Sequence, residues 1–207
     1  MSTIKTTNIT HGSNSGTANI VLNDTGNLEA RKVNGCQRIV LEQFWSPCDG
    51  SVIALQDGNH TITDVTAKQD APGSWTDCSG SSITYTPPSG TTQVIYEYRV
   101  YYSYIDQNNL SHFKILLDDD EVTSGRHNLM RYDYPGAYES IKWGFNIGGT
   151  DDTAVGRVAS WTDDKTIKVQ WRRFASHQEG SLPHLQHWDQ SSSDLVVKPQ
   201  LSITAIG

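Results

Sequence analysis

The sequence has few cysteines, and their spacing excludes two common kinds of small scaffold. Cys36, Cys48 and Cys78 are the three cysteines among 207 residues, and no two of them form a C-x-x-C pair. A disulfide-stabilised scaffold and a zinc ribbon are therefore both disfavoured. We expect all three thiols to be reduced and partly buried, and one disulfide with a leftover thiol stays open as the alternative.

Positive charge and long apolar runs are also scarce. The net charge is −7, the isoelectric point is about 5.4, and no basic run exceeds the pair Arg172-Arg173. Nothing here would neutralise a phosphate backbone, so we expect no nucleic-acid partner. No stretch approaches the roughly 20 apolar residues of a membrane helix, and the polar N-terminus lacks the apolar core of a signal peptide. We therefore expect no membrane partner and no export by the usual secretory route.

Strand-forming residues outnumber helix-forming ones. Val, Ile and Thr number 48, whereas Ala, Leu, Glu and Lys number 36, and 17 glycines and 7 prolines supply turns. From Cys36 onward, turn clusters interrupt apolar runs about every ten residues. The pattern predicts eight to ten short strands in an all-β sandwich or jelly roll.

Alternation of apolar and polar residues places the strands. The longest predicted strand is 93–105, followed by a turn at 108–109 and a strand at 110–117, and we expect these two strands to form a hairpin. Other strands are predicted at 37–45, 60–66, 82–86, 139–147, 165–174 and within 195–206. The acidic run 118–121 lacks the D-x-D-x-D-G calcium loop, and contiguous carboxylates are more typical of a solvated hairpin tip.

The first 35 residues differ in composition from the rest. They are rich in Ser, Thr, Asn and Gly, with a short apolar run at 19–22 before a turn at 23–27. Either they form a disordered tail, or they are an extended arm that pairs as a strand against a neighbour. The predicted domains are therefore an arm at 1–35 and a β domain at 36–207.

Chemistry-bearing motifs are scarce. The sequence contains no G-x-S-x-G, Walker A, G-x-G-x-x-G or H-E-x-x-H motif. His177, His184 and His187 with Asp189 are the best candidate metal ligands, but their spacing matches no familiar metal motif. We therefore predict no catalytic residue, no metal site, no cofactor and no enzymatic activity.

Several segments of the sequence carry a resemblance to a known family. They are Phe44-Trp-Ser-Pro-Cys-Asp-Gly50, the block 80–98 around Thr-Pro-Pro-Ser-Gly-Thr, and His184-Leu-Gln-His-Trp-Asp189 followed by Lys198-Pro-Gln-Leu-Ser-Ile203. These segments resemble virion structural proteins of aquatic viruses, notably tailed phages of cyanobacteria. The opening 4–10, with 19–22 and 24–27, is similar to the N-terminal segments of phage fibre and appendage proteins. The resemblance implies a jelly roll of the tumour necrosis factor class, which assembles as a homotrimer.

A trimer implies strands with one face toward the core and one toward a neighbouring subunit. With Ile167, Val169 and Trp171 toward the core, the remaining faces supply the predicted subunit contacts, namely Glu97, Arg99, Tyr101, Gln170, Arg172 and Phe174. Replacing Tyr101 or Phe174 with Asp should then convert a trimer to a monomer. The apolar residues of the arm, Ile4, Ile9, Ile20 and Leu22, are the predicted anchoring contacts.

The function expected from this resemblance is that of a non-enzymatic virion protein. In the first hypothesis it is a capsid cement or decoration protein, made in the host cytoplasm and held by its arm to the major capsid protein or another virion protein. In the second it is the receptor-binding head or adaptor of a tail fibre or spike, with a host-surface receptor as partner. A third hypothesis is a metal-dependent, cupin-like enzyme that uses the histidine cluster.

Overall fold

The computed structural model describes residues 8–9, 20–22, 28–30, 38–104, 109–131, 137–175, 180–182 and 197–207. The chain divides into two compact units, Met1–Ile39 and Val40–Gly207. The first unit contains three short strands, β1 (Asn8–Ile9), β2 (Ile20–Leu22) and β3 (Leu28–Ala30). They form an antiparallel sheet in the order β1-β2-β3.

The second unit is built almost entirely of antiparallel strands. They are β4 (Val40–Pro47), β5 (Val52–Leu55), β6 (Gly58–Thr61), β7 (Gln69–Asp70), β8 (Thr76–Asp77), β9 (Ile83–Tyr85), β10 (Gln93–Tyr104), β11 (Asn109–Leu117), β12 (Asp120–Arg131), β13 (Ala137–Asn146), β14 (Lys165–Arg173), β15 (Gly180–Leu182) and β16 (Gln200–Ile206). A short 3-10 helix, Thr153–Val155, is the one helical element in the described part of the chain. The all-β expectation is therefore confirmed.

Two sheets face each other in a sandwich-like arrangement. Sheet 1 has the order β4-β16-β10-β15-β7. Strand β13 also belongs to this sheet and pairs with the edge of β10 that does not face β16. Sheet 2 has the order β12-β11-β14, and β8 and β9 both pair with the far edge of β14. Strands β5 and β6 form a separate hairpin.

The core lies between the two sheets and is rich in aromatic side chains. From β10 it receives the completely buried Val94, Tyr96, Tyr98, Val100 and Tyr102. From β14 it receives Ile167, Val169 and Trp171, which are also 0% exposed, as the alternation predicts. Burial of such large apolar side chains is the main stabilising contribution to the fold.

Buried tyrosines keep their hydroxyl groups paired. Tyr96 donates to the backbone oxygen of Ser81 at 2.6 Å, and Tyr98 donates to that of Ser79 at 2.8 Å. The Tyr102 hydroxyl lies 3.1 Å from the hydroxyl of Ser111 on the opposite sheet. Burial raises the pKa of Tyr96 and Tyr98, so both remain neutral donors.

The predicted hairpin of 93–105 with 110–117 is wrong. Strand β10 pairs with β13 on one edge and with β16 on the other, whereas β11 pairs with β12 and β14. The two strands thus belong to different sheets and meet through their inner faces, where the rings of Tyr102 and Phe113 lie 6.4 Å apart. The apolar faces of β10 and β11 pack against each other across the core, although strands that are neighbours in sequence more often pair within one sheet.

The predicted strand at 60–66 is also wrong. The strand there ends at Thr61 and pairs with β5, and residues 62–66 are irregular. Ile62 and Val65 are nevertheless buried, so the apolar pattern marked core contacts made by a loop. Their spacing of three residues does not fit the period of two of a strand.

The predicted hairpin tip in the acidic run is confirmed. Asp118 and Asp119 form the two-residue turn between β11 and β12, with φ values of 52° and 71°. Two consecutive positive φ angles are typical of a type I′ turn, which matches the twist of the flanking strands. Aspartate tolerates this backbone conformation better than most residues.

Candidate interaction surfaces

The structure separates the six predicted subunit-contact residues into two groups. Glu97, Arg99 and Tyr101 lie on the outer face of sheet 1, because their neighbours along β10 are buried in the core. Gln170, Arg172 and Phe174 alternate with buried residues of β14 and extend onto the outer face of sheet 2. The core lies between the two groups, so the structure does not bring them together.

The outer face of sheet 1 carries a group of aromatic and charged residues that we name the Tyr138 surface. It consists of Trp45, Glu97, Arg99, Tyr101 and Tyr138. Tyr138 is 50% exposed and lies directly opposite Tyr101, with ring centroids 5.3 Å apart in an edge-to-face arrangement. Trp45 of β4 is 51% exposed. These rings offer a large apolar contact area with fixed geometry.

The surface is continuous across four strands. Ser202 of β16 lies opposite Trp45 on one side and opposite Glu97 on the other, and Glu97 lies opposite Lys142 of β13. Ser202 is only 6% exposed although it faces outward. Its larger neighbours Trp45 and Glu97 lie on either side of it.

Charged groups on the Tyr138 surface have partners on the same face. Glu97 accepts a hydrogen bond from the Ser140 hydroxyl at 2.6 Å and forms an ion pair with Lys142 at 3.4 Å. The Arg99 guanidinium lies 4.4 Å from the ring centroid of Tyr138 and 3.5 Å from the side-chain oxygen of Gln200. Glu97 thus has a counter-charge on the same face, and Arg99 has contacts to a ring and an amide oxygen, which lowers the cost of desolvating both groups.

The outer face of sheet 2 carries a second cluster, which we name the Trp75 surface, made of Trp75, His112, Lys114, Arg172 and Phe174. The Trp75 ring lies 4.8 Å from the Lys114 ammonium and 4.9 Å from the Arg172 guanidinium. His112 lies opposite Arg172 in the sheet, and its ring is 5.7 Å from that of Phe174. This surface combines cations with aromatic rings.

Ion pairs tie the rest of this face together. Glu121 binds Arg126 at 2.5 Å and Lys114 at 3.5 Å, and the Arg126 guanidinium holds the pKa of the Glu121 carboxyl below its usual range. Lys168 binds Asp119 at 2.7 Å, a contact that raises the pKa of its ammonium group. These side chains are held across the strands and do not hang free in solvent.

A groove of about 280 Å³ opens beside the turn between β11 and β12. Asp118, Asp120 and Asp151 are among its lining residues. Asp118 is occupied by the Lys165 ammonium at 2.7 Å, and Asp151 accepts the backbone N–H of Ala159 at 2.6 Å. Two of its three carboxylates therefore serve to hold neighbouring segments in place.

The other predicted chemical groups fall partly outside the described residues. The histidine cluster His177, His184 and His187 with Asp189 lies outside them, as do Cys36 and Ile4. Among the residues that the structure describes, no group of three or more His, Cys, Asp or Glu is arranged to hold a metal ion.

Two of the cysteines are described, and both are free thiols in the core. Cys48 is 0% and Cys78 is 2% exposed. Burial raises the pKa of Cys48 to about 12, and it raises that of Cys78 as well. The prediction of reduced, buried thiols is confirmed for these two cysteines, and because the thiolate is the reactive form, their raised pKa values disfavour reaction in the folded chain.

The predicted arm residues have a simpler placement. Ile9 pairs with Ile20 between β1 and β2, and Leu22 pairs with Leu28 between β2 and β3. The strand that the alternation predicts at 20–22 is present, and its partner strands belong to the same unit.

Sequence reasoning missed Trp75 and Tyr138, the central rings of the two surfaces. Tyr138 could have been found, because it continues the polar face of the alternating segment 138–146, opposite Ile141 and Phe145. Trp75 follows a loop with Pro72 and Gly73, and no sequence period indicates where its ring packs.

Comparison with known proteins gives no match, either to a family model or to a curated protein. In the described part of the chain, no helix is long and apolar enough to cross a membrane.

Proposed function

We propose that this chain is a non-enzymatic structural protein of a virion, and that it self-associates as a homotrimer through the Tyr138 surface. The observation that carries the proposal is the exposure of Trp45 and Tyr138 on one face of sheet 1, where Tyr138 packs edge-to-face on the half-buried Tyr101. Glu97 has a counter-charge on the same face, and Arg99 packs on Tyr138. A subunit contact there would bury aromatic area at little electrostatic cost. Aromatic residues are enriched at such contacts.

The path of the chain supports a jelly roll of the tumour necrosis factor class. From β9 onward the chain alternates between the two sheets: β9 lies in sheet 2, β10 in sheet 1, the hairpin β11–β12 in sheet 2, β13 in sheet 1, β14 in sheet 2, and β15 and β16 in sheet 1. A double-sheet sandwich with repeated crossings between its sheets is typical of jelly rolls. Of the segments that resemble phage virion proteins, 80–98 covers β9 and part of β10, 198–203 covers part of β16, and 44–50 covers the end of β4.

Self-association through the outer face of sheet 2 is less favourable. Arg172 is exposed there and packs on Trp75, whereas Arg99 on sheet 1 is half-buried and contacts both Tyr138 and Gln200. A contact that brought this face of several identical subunits together would place like charges near one another. We therefore assign the subunit contact to sheet 1 alone.

In the proposed arrangement the trimer decorates a capsid, and the N-terminal unit attaches it to another virion protein. Antibodies against the chain should then label intact particles of the virus that encodes it. Purified particles that contain none of the chain would contradict the virion assignment.

The trimer is tested by light scattering on the full-length chain after size-exclusion chromatography. We expect a mass of three times 23.0 kDa for the wild type and of one chain for Tyr138→Asp. Phe174→Asp is the matched control, since it adds the same charge at an exposed aromatic position on sheet 2, and it should remain trimeric. A monomeric wild type would contradict the assignment. The assignment would also be contradicted if Phe174→Asp dissociated while Tyr138→Asp remained trimeric.

A further inference from the structure

The Trp75 surface holds one cation that has no counter-charge among the residues that the structure describes. The Arg172 guanidinium carbon lies 4.9 Å from the centroid of the Trp75 ring, and this cation–π contact favours that position of the guanidinium. Arg172 is nevertheless an exposed residue. A guanidinium that is held beside a ring and is still exposed can make a two-pronged contact with a carboxylate.

Both lysines of this face have acidic partners. Lys114 pairs with Glu121 at 3.5 Å, and Lys168 pairs with Asp119 at 2.7 Å and Asp77 at 3.5 Å. Within the described residues, Arg172 has no carboxylate at ion-pair distance. A single unit of positive charge is thus left on one face of a chain whose net charge is −7.

Apolar surface lies next to this charge. Phe174 follows Arg172 by two residues and is 65% exposed, the highest value among the large exposed hydrophobic residues. Its ring rests edge-on against His112, and His112 is held by Asn128 at 2.6 Å. The Arg172 cation and the exposed Phe174 ring therefore lie on the same face, two residues apart.

We infer that the Trp75 surface binds a partner protein through a carboxylate side chain that stands next to an apolar side chain. The carboxylate pairs with Arg172, and the apolar neighbour covers Phe174. A polyanion such as a nucleic acid or a sulfated glycan requires several free cations in a row, whereas this face supplies one. A peptide segment with one acidic residue matches both the charge and the apolar ring.

This surface lies on the opposite side of the core from the Tyr138 surface, so both can be occupied at once. The inference therefore stands whether or not the chain is a trimer. It assigns the partner contact to sheet 2, which the self-association described above leaves uncovered.

The test uses a short capped peptide that contains one aspartate next to a phenylalanine, titrated into the full-length protein and followed by NMR. We expect saturable binding with shifts at Phe174 and Trp75. The same peptide with asparagine in place of aspartate should bind about two- to fivefold more weakly, because it loses an ion pair at an exposed site, which contributes up to about 1 kcal/mol. Arg172→Gln should abolish the preference for aspartate, and Arg172→Lys should retain part of it.

Arg157→Gln is the control, since it removes the same charge from an exposed arginine beside the groove. It should leave peptide binding unchanged. Equal binding of the two peptides, or an aspartate preference that survives Arg172→Gln, would overturn the inference. So would tighter binding of heparin or N-acetylneuraminic acid at the same residues, because the site would then serve a glycan. Mass measurements on Arg172→Gln keep this test separate from that of the trimer.

Discussion

Removal of the Ser81 hydroxyl, which binds the backbone of Val169 in β14, should destabilise the fold. The far edge of β14 pairs with β8 at Gln170 and Trp171 and with β9 at 165–167, and between them the neighbouring chain leaves the sheet. At that gap the Ser81 hydroxyl accepts the backbone N–H of Val169 at 3.1 Å and donates to its carbonyl at 3.2 Å. The serine side chain therefore replaces a missing strand.

The magnitude follows from what Ser81→Ala would leave behind. The Val169 carbonyl retains the backbone N–H of Cys78 at 2.8 Å, but its own N–H would lose its acceptor in a fully buried site. An unsatisfied buried donor costs about 1–3 kcal/mol. For a unit of this size, each kcal/mol lowers Tm by about 2–4 °C.

We therefore expect Ser81→Ala to lower Tm by about 2–12 °C in calorimetry at matched protein concentration. Ser82→Ala is the control, since Ser82 is exposed, and it should change the unfolding free energy by less than about 0.5 kcal/mol. Equal stability of Ser81→Ala and wild type would show that water or a shifted backbone satisfies Val169, and the argument would fail.

Two further predictions concern the same region of the core. Gly80→Ala should lower the free energy of unfolding in urea by about 2–4 kcal/mol, because Gly80 has φ +84° and an added Cβ would lie 2.8 Å from Val65 and 2.9 Å from Cys48. Gly90→Ala is the control, since Gly90 has φ +89° but open space around it, and it should lower the free energy of unfolding by only about 1 kcal/mol. Equal losses for the two variants would refute the packing argument. Burial raises the pKa of Cys48 from 9.0 to about 12, so the stability it contributes is complete below pH 9 and is lost as the pH rises toward 12. Urea unfolding measured across this range should show that decline and Cys48→Ala should reduce it, whereas a thiol that reacts rapidly with a maleimide in the folded chain would contradict the burial.

Individual strands could be predicted from the sequence because each carries its own signal. The alternation in β10 and β14 identified Val94, Tyr96, Ile167 and Val169 as core residues, and all four are fully buried. Pairing could not be predicted in the same way, since it depends on which apolar faces meet across the core. The short strands β5, β7, β8 and β15 escaped notice because two to four residues show no period. The twelve-residue β12 also escaped notice, because its buried residues Val122 and Leu129 lie seven positions apart and do not follow a period of two.

The candidate surfaces were predictable to a lesser degree. Alternation correctly placed Arg99 and Arg172 away from the core, but it could not show that they lie on opposite sides of the sandwich. It also could not show that Arg99 packs on Tyr138 while Arg172 packs on Trp75. Such contacts join residues that are far apart in the chain, and only the folded topology sets their distances.

The position of β16 gives the second unit a definite order of assembly. This strand lies between β4 and β10 in sheet 1, and its contact with β4 joins residues as distant as Gln43 and Thr204, which are 161 positions apart. During synthesis, β4 and β10 must wait for nearly the whole unit to leave the ribosome before their shared neighbour arrives. Such distant pairing slows folding and leaves strand edges open to other chains in the meantime. A product that stops before Gln200 would leave the edges of β4 and β10 that face β16 without their partner strand.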